Sequence, residues 1–147
     1  MIPVIVIKNI DGSCSICTAP PDSKLTLQEI AARDFAGKDW RITTNDKIPI
    51  KDDLRSAWTD DYASDTVDID MAKAKVSRAD TIRKDRDKKW EDFDKRYVIA
   101  QRDGQDMMAL ETERLALKNA PKVAETLLTS ATTAEDIRAI TIEQVLA

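Results

Sequence analysis

Short apolar runs separated by turn residues make up the first part of the chain, and they predict a β-hairpin. Residues 3–10 carry apolar, mostly β-branched side chains on both sides, a pattern typical of a strand. Asp11 and Gly12 form a strong signal for a two-residue turn, because such a turn needs positive φ. Residues 13–18 are expected to return as the second strand.

A helix and a third strand are predicted next. Thr26 and Glu29 have the spacing of a capping box, in which each side chain satisfies a free amide at a helix start, and the helix should run to about Asp34. Its apolar residues recur at helical spacing, so one face should cover the hairpin. Alternation around Trp40 and Ile42 indicates the third strand, with both side chains on one face.

The pattern is weaker before residue 70. Asp52 or Asp53 is placed to cap a helical turn that ends near Trp58. Residues 65–70 predict a brief edge strand.

A long helix is predicted from Asp70 onward. Neither glycine nor proline occurs between Met71 and Asp103. Steps of three and four residues connect a stripe that consists of Ala79, Ile82, Arg86, Trp90, Phe93, Tyr97 and Ala100. This near-heptad spacing predicts one continuous amphipathic helix.

A second helix should pair with the first. The Asp103-Gly104 sequence predicts a glycine-terminated helix end, and Asp106 is placed to cap the next helix. The residues of that helix expected to face one side are Met107, Leu110 and Leu117. Because the connection is short, the two helices are expected to form an antiparallel hairpin.

Two shorter helices are predicted at the C-terminal end. Proline is tolerated in a first helical turn, so Asn119-Ala120-Pro121 predicts a new helix start. The inward-facing residues of this helix are expected to be Val123, Leu127 and Leu128. Thr133 and Asp136 have capping spacing and predict a fourth helix, which leads into an apolar tail.

These elements together predict an α+β fold. It has a small N-terminal antiparallel sheet with one short helix, followed by a long-helix hairpin and short C-terminal helices. Two domains are expected, a small α+β domain at residues 1–66 and a helical domain at residues 67–147.

Charge is unevenly distributed along the chain. The whole sequence carries −4, whereas residues 71–102 hold 11 Lys/Arg and 6 Asp/Glu, a net charge of +5 that leaves −9 for the remainder. Acidic residues are interspersed with the basic ones, which favours a solvated mixed-charge face over a nucleic-acid site. The N-terminal apolar run is far shorter than the roughly 20 residues of a membrane span and lacks the basic flank of a signal peptide. We therefore expect no nucleic-acid or membrane partner and a soluble protein made inside the cell.

Candidate chemistry is sparse. The absence of histidine removes imidazole-based catalysis and imidazole metal ligands. Cys14 and Cys17 have CxxC spacing, but a zinc site needs about four ligands, and residues three apart on a strand point to opposite faces. We interpret both as small apolar strand residues, with a metal shared between subunits as the alternative.

Acidic pairs are the remaining candidates for chemistry. They are Asp52-Asp53, Asp60-Asp61 and Asp68/Asp70. Loops and helix caps are rich in Asp, so we interpret the three pairs as caps and solvated loop residues. The sequence therefore predicts a protein that is not an enzyme, with no catalytic residue, no metal site and no cofactor.

The aromatic stripe of the long helix is the main candidate for an interaction site. Its residues are Ile82, Arg86, Trp90, Phe93 and Tyr97. Packing of the helical hairpin on itself accounts for much of their burial, and the remaining apolar edge is expected to meet the small β-domain or another copy of the chain. Arg86 should either extend its head to solvent or pair with an acidic group across an interface.

The order of the segments resembles that of small tailed-bacteriophage proteins encoded beside tail-tip and tail-fibre genes. The segments that carry the similarity are "DGS", "LTLQEIAARD", "IPIKDDLRSAW", "DIDMAKAKVSRADTIRKDRDKKW", "RDG", "LETERLALKNAP" and "TTAEDIRAI". They cover almost the whole chain. The C-terminal helical part is also similar to the hairpins of phage tail-fibre assembly chaperones.

The resemblance implies a bacteriophage tail-associated structural or adaptor protein that contacts tail or fibre proteins. It would be made in the host cytoplasm, reside in the virion tail and form a homo-oligomer through the long helix. A second hypothesis is a non-virion chaperone that holds a fibre's apolar tip during assembly and then leaves. A third is a phage protein that modulates a host factor. In the first two, the mechanism would be burial of apolar helix surface, with charges setting register and partner choice.

Overall fold

A computed structural model describes the backbone of all 147 residues and every side chain except that of Asp52. The chain divides into two compact units, Met1–Asp70 and Met71–Ala147. The first unit thus includes residues 67–70, whereas the sequence predicts a boundary after residue 66. The predicted α+β arrangement is confirmed: an antiparallel sheet with one short helix, then a long helix pair and short C-terminal helices.

The N-terminal sheet has three antiparallel strands in the order β2-β1-β3. The strands are β1 (Pro3–Lys8), β2 (Cys14–Cys17) and β3 (Trp40–Thr44). In the middle of the sheet, Ile5 of β1 lies opposite Cys17 on one side and Ile42 on the other. β1 is central and has four consecutive buried residues, which explains why its apolar side chains occur on both faces.

The hairpin between β1 and β2 has a three-residue loop, so the predicted two-residue turn at Asp11 and Gly12 is wrong. The Asn9 N–H donates to the Ser13 carbonyl at 2.8 Å, and the Gly12 N–H donates to the Asn9 carbonyl at 3.0 Å. Only Gly12 in this loop has positive φ, at 79°. A turn followed by one left-handed residue is the usual three-residue hairpin, and it includes Ile10 in the loop.

One face of the sheet is covered by α1 (Leu27–Asp34). The predicted capping box is confirmed, because the Glu29 N–H donates to Thr26 Oγ1 at 3.2 Å and the Thr26 N–H donates to the Glu29 carboxylate at 2.7 Å. The Thr26 backbone N–H and the Thr26 hydroxyl both donate to the Glu29 carboxylate and hold the pKa of Glu29 below its ordinary value. The buried cluster under the helix consists of Ile5, Ile7, Ile30 and Ala31.

The other face is covered by the chain between β3 and Asp70. There β4 (Trp58–Thr59) and β5 (Asp68–Ile69) pair as a separate two-stranded antiparallel sheet. The predicted edge strand thus exists, but it is shorter than residues 65–70 and pairs with a strand that the sequence analysis missed. The buried cluster on this face consists of Val6, Cys14, Trp58 and Val67.

A 3₁₀ segment at Asp52–Ala57, kinked at Leu54, precedes β4 and ends next to Trp58, as predicted. The N-cap position is Lys51, so the predicted cap at Asp53 is wrong; this residue already lies inside the helical segment. The alternative cap, Asp52, is a side chain outside the described set.

The second unit begins with α2 (Met71–Arg102), whose bounds match the predicted long helix. Its end is the predicted glycine terminus: Gly104 has φ of 65°, the Gln105 N–H donates to the Ala100 carbonyl at 3.0 Å, and the Gly104 N–H donates to the Gln101 carbonyl at 3.3 Å. These bonds satisfy carbonyls that the helix end would otherwise leave free. The chain then reverses direction.

The following helix, α3 (Met108–Ser130), is continuous, so the predicted helix start near Pro121 is wrong. Leu117 and Ala124, on either side of the proline, are both buried, on the stripe of α3 that packs against α2. Burial of one continuous stripe outweighs the loss of the single backbone hydrogen bond that proline cannot donate. As a result of this register Val123, predicted to face inward, is 40% exposed.

Two short helices, α4 (Ala134–Ala139) and α5 (Ile142–Leu146), complete the second unit. The predicted cap is confirmed by a capping box between Thr133 and Asp136. α4 packs against α2, and α5 packs against both α2 and α3. Arg78 of α2, which the sequence analysis did not single out, donates to the backbone carbonyls of Arg138 and Ile140 at 2.9 and 2.7 Å.

Candidate interaction surface

The five predicted interaction residues lie on the side of α2 that packs against the rest of the helical unit. Ile82 and Phe93 are fully buried, with 1% and 2% of their surface exposed. Arg86, Trp90 and Tyr97 are half-buried. Only these three therefore have surface that a partner can contact.

The three aromatic rings of the stripe form one packed row. The Trp90 and Phe93 ring centroids lie 5.3 Å apart with an edge-to-face angle of 86°, and those of Phe93 and Tyr97 lie 5.6 Å apart. Edge-to-face contact is a favourable arrangement of aromatic quadrupoles. The Tyr97 hydroxyl donates to Glu111 Oε1 at 3.0 Å and so connects the row to α3.

Arg86 pairs with its neighbour on the same helix. Its Nη2 lies 2.8 Å from the Asp87 carboxylate, and 24% of its side chain is exposed. The guanidinium thus reaches the rim of the stripe, as one of the two predicted alternatives requires. Pairing with an acid across an interface stays a prediction.

An ion-pair network that the sequence analysis missed connects the two long helices. Arg96 Nη1 donates to Glu113 Oε2 at 2.9 Å, and Arg96 Nε donates to the Asp92 carboxylate at 2.9 Å. Hydrogen bonding to Arg96 holds the pKa of Glu113 below its ordinary value. The sequence pattern gives no sign of this ion pair, because Arg96 lies outside the apolar stripe and Glu113 is on another helix.

Large apolar side chains are exposed where α2 ends and α3 begins. Val98, Ile99 and Met108 are 63%, 48% and 75% exposed, and we call them the tip patch. The loop residues between the two helices are polar or glycine, except for the half-buried Met107. Uncovered apolar side chains next to a polar rim are a common feature of protein-binding surfaces.

The two cysteines lie on opposite faces of the sheet, which confirms the prediction that residues three apart on a strand point to opposite faces. Cys14 is buried with Val6 and Trp58, whereas Cys17 packs against the cluster around Ile5. Both thiols are free, and burial raises the pKa of Cys14 to about 11. Within the described residues, no group of three or more Cys, Asp or Glu side chains is placed to hold a metal ion.

Asp60 differs from its predicted role as a solvated loop residue. It is 1% exposed, its Oδ2 lies 2.7 Å from Arg41 Nε, and its Oδ1 accepts the Tyr62 N–H at 2.8 Å. Tyr62 adopts a positive φ of 60°, which is strained for a residue with a side chain. The carboxylate therefore stabilises an unusual turn together with a nearly buried guanidinium. Its neighbour Asp61 accepts the N–H of residue 63 at 2.8 Å, in keeping with a loop-capping role.

No helix in the described part of the chain has the length and apolar character needed to cross a membrane. In the helical unit, the tip patch combines exposed apolar side chains from the end of α2 and the start of α3, and Val98 directly follows Tyr97 of the aromatic row. Comparisons of the chain with protein-family models, with curated proteins and with solved structures found no match.

Proposed function

We propose that this chain is a bacteriophage tail-associated structural protein, an adaptor that contacts tail or fibre proteins through its helical unit. The phage context rests on the resemblance of the quoted segments. The observation that supports an adaptor is the tip patch, where three large apolar side chains lie uncovered at one end of a helical hairpin.

The proposed mechanism is burial of the tip patch against a partner, with surrounding charges selecting the partner. Arg102 and Asp103, next to the patch, form an exposed ion pair, with the Arg102 Nε 2.8 Å from the Asp103 carboxylate. Charges at the rim of an apolar contact contribute more to specificity and association rate than to affinity. The partner therefore needs an apolar centre with complementary charges around it.

Mass spectrometry of purified virions tests the adaptor proposal. Peptides of this chain should be present at a constant ratio to the tail proteins. A chain that is missing from mature particles, but isolated with fibre protein from infected cells, would instead support the assembly-chaperone hypothesis. A chain found in neither preparation would contradict both.

A matched pair of variants tests whether the tip patch is the contact. Val98→Lys should abolish incorporation into particles, because it places a charge in the apolar contact. Val76→Lys is the control, since Val76 lies on the same helix and is equally exposed, at 63%. Equal incorporation of both variants would show that the tip patch is not the contact surface.

A further inference from the structure

The solvent-facing side of α3 carries a second regular stripe, apart from the one that packs against α2. It consists of Thr112, Leu115, Asn119, Val123 and Thr126, and we call it the outer stripe. All five residues are exposed. Successive members are three or four residues apart, which is the spacing of a helix-packing seam.

The outer stripe is symmetric about its centre. Asn119 is the middle residue of Met108–Ser130. Leu115 and Val123 lie four residues to either side of it, and Thr112 and Thr126 lie seven residues to either side. Two antiparallel copies of α3 centred on Asn119 would thus place Leu115 opposite Val123 and Thr112 opposite Thr126. The two Asn119 amides would face each other.

The amide at the centre suits such a pairing. An Asn side chain both donates and accepts hydrogen bonds, so two facing Asn119 amides can satisfy each other. A single Asn within a helical seam is also a known means of fixing the register of two helices. Leu115 and Val123, which are 48% and 40% exposed, would supply the apolar contact on both sides of it.

Charge distribution also favours a second copy of α3. Its twelve exposed residues include only three charged ones, Lys118, Lys122 and Glu125, whereas eleven of the seventeen exposed residues of α2 are charged. The charged residues of α2 are Asp80, Arg83, Lys84, Asp87, Lys88, Glu91, Asp92, Asp94, Lys95, Arg96 and Arg102. A weakly charged face can meet its own copy without bringing many like charges together. Lys118 and Lys122 lie beside the stripe, where they can remain in solvent.

We propose that two copies of this chain associate through the outer stripe of α3, antiparallel and with Asn119 on the two-fold axis. Such a contact is isologous, because the same surface is used by both subunits. It differs from self-association through the aromatic stripe of α2, and it does not depend on the proposed phage function. The virion experiment and the following experiments can therefore fail separately.

Disulfide cross-linking tests the geometry in the full-length chain. All variants carry Cys14→Ala and Cys17→Ala, so that the only thiol is the introduced one. Asn119→Cys should form disulfide-linked dimers under mild oxidation, because equivalent residues on the axis come within bonding range. Lys95→Cys, on the charged face of α2, is the control and should remain without a disulfide cross-link.

A mixing experiment distinguishes antiparallel from parallel pairing. Thr112→Cys and Thr126→Cys should cross-link to each other when the two variants are mixed, and each alone should cross-link poorly. Within one helix these positions are about 21 Å apart at 1.5 Å per residue, too far for a self-pair in an antiparallel dimer. Efficient self-pairs from each variant alone would overturn the antiparallel arrangement.

Sedimentation measures the association itself. At concentrations from about 1 µM to 1 mM, where weak interfaces form, the wild-type mass should rise toward twice the 16.5 kDa of one chain. Leu115→Lys with Val123→Lys should keep the chain monomeric, whereas the control Val76→Lys, at an exposed position of α2, should still allow the dimer to form. A wild-type chain that stays monomeric and leaves Asn119→Cys uncross-linked would refute the proposal, and a dimer unaffected by the double variant would place the contact elsewhere.

Discussion

Phe93 is a buried residue of α2 and the central ring of its aromatic row. Its ring is 2% exposed and contacts the rings of both Trp90 and Tyr97. The Arg96 guanidinium lies 5.8 Å from the Phe93 ring centroid, within the range of a cation–π contact. Loss of this one side chain removes contacts in several directions at once.

Phe93→Ala should lower the free energy of unfolding by about 3–5 kcal/mol, the usual cost of removing a buried ring. Trp90→Ala should cost about 1–2 kcal/mol, since Trp90 is half-buried and part of its surface already contacts water. Urea denaturation followed by circular dichroism measures both values. Equal costs would mean that Trp90 is as completely covered as Phe93, either by this chain or by another copy.

Residue positions were predictable from the sequence where strand or helix geometry determines them. The opposite placement of Cys14 and Cys17 follows from the two-residue period of a strand, and the burial of Ile82 follows from helical spacing. Asp60 could not be predicted in this way. Its burial depends on Arg41, which lies nineteen residues away in sequence, and nothing in the local pattern indicates that pairing.

α3 is the element in which local propensity and tertiary packing disagree. Pro121 lies in its interior, where the ring removes a hydrogen-bond donor for the Leu117 carbonyl. A groove of ≈ 250 Å³ lies between α2 and α3, and its lining includes Pro121 and Ala79. The helix therefore contains a weak point near its centre that packing against α2 compensates.

Pro121→Ala should raise the free energy of unfolding by about 1–3 kcal/mol. The substitution restores the missing backbone donor, and the gain is reduced because the unfolded chain becomes more flexible. Ala116→Pro is the matched control in the same helix and should destabilise by about 3 kcal/mol or more. Denaturant titrations at low protein concentration measure both variants, and a destabilised Pro121→Ala would indicate that the ring itself is needed beside the groove.

Element boundaries were predictable where side-chain chemistry marks them. The capping residues Thr26 and Thr133 and the terminal Gly104 set helix ends through hydrogen bonds that are local in sequence. The continuity through Pro121 and the pairing of β4 with β5 depend on contacts with distant residues. The local sequence pattern cannot show, for example, whether the cost of proline inside a helix or the gain from burying the stripe has the larger free energy.

At the scale of the whole molecule, opposite charges are concentrated in different segments. Met1–Asp70 contains 8 Lys/Arg and 13 Asp/Glu, a net charge of −5. In the second unit, α2 carries +5 and residues 103–147, with 4 Lys/Arg and 8 Asp/Glu, carry −4. The excess positive charge of α2 is thus nearly balanced within its own unit, through pairs such as Arg96 with Glu113.

This balance leads us to expect no binding to nucleic acid. In gel retardation at about 100 mM salt, where unpaired Lys and Arg would still contact phosphates, the wild-type chain should not shift duplex DNA. A charge variant serves as the positive control; it carries Asp85→Asn, Asp87→Asn, Asp92→Asn and Asp94→Asn. It should bind DNA weakly and lose that binding as salt rises, because four negative charges are removed from α2 and Arg86 and Lys88 lose their carboxylate partners. DNA binding by the wild type with steep salt dependence would contradict this expectation.

The fold class and the order of elements were predictable from the sequence because hydrophobic periodicity determines them. The surfaces available for binding were not, since their exposure depends on how the helices pack. The aromatic stripe looked like the binding surface in sequence, but packing covers Ile82 and Phe93 and leaves Val98 and Met108 uncovered instead. These residues belong to no regular pattern in the sequence.

The length of α2 has a consequence for any partner bound at the tip patch. Its 32 residues extend for about 48 Å at 1.5 Å per residue. The helix begins at Met71 and carries Val98 and Ile99 near its other end, so its length sets the distance between the two ends of the helical unit. This length can change only in steps of about seven residues, made in both α2 and α3, if the packed stripe is to keep its direction. The length of the hairpin therefore sets the distance between its two ends, whatever partner binds at the tip patch.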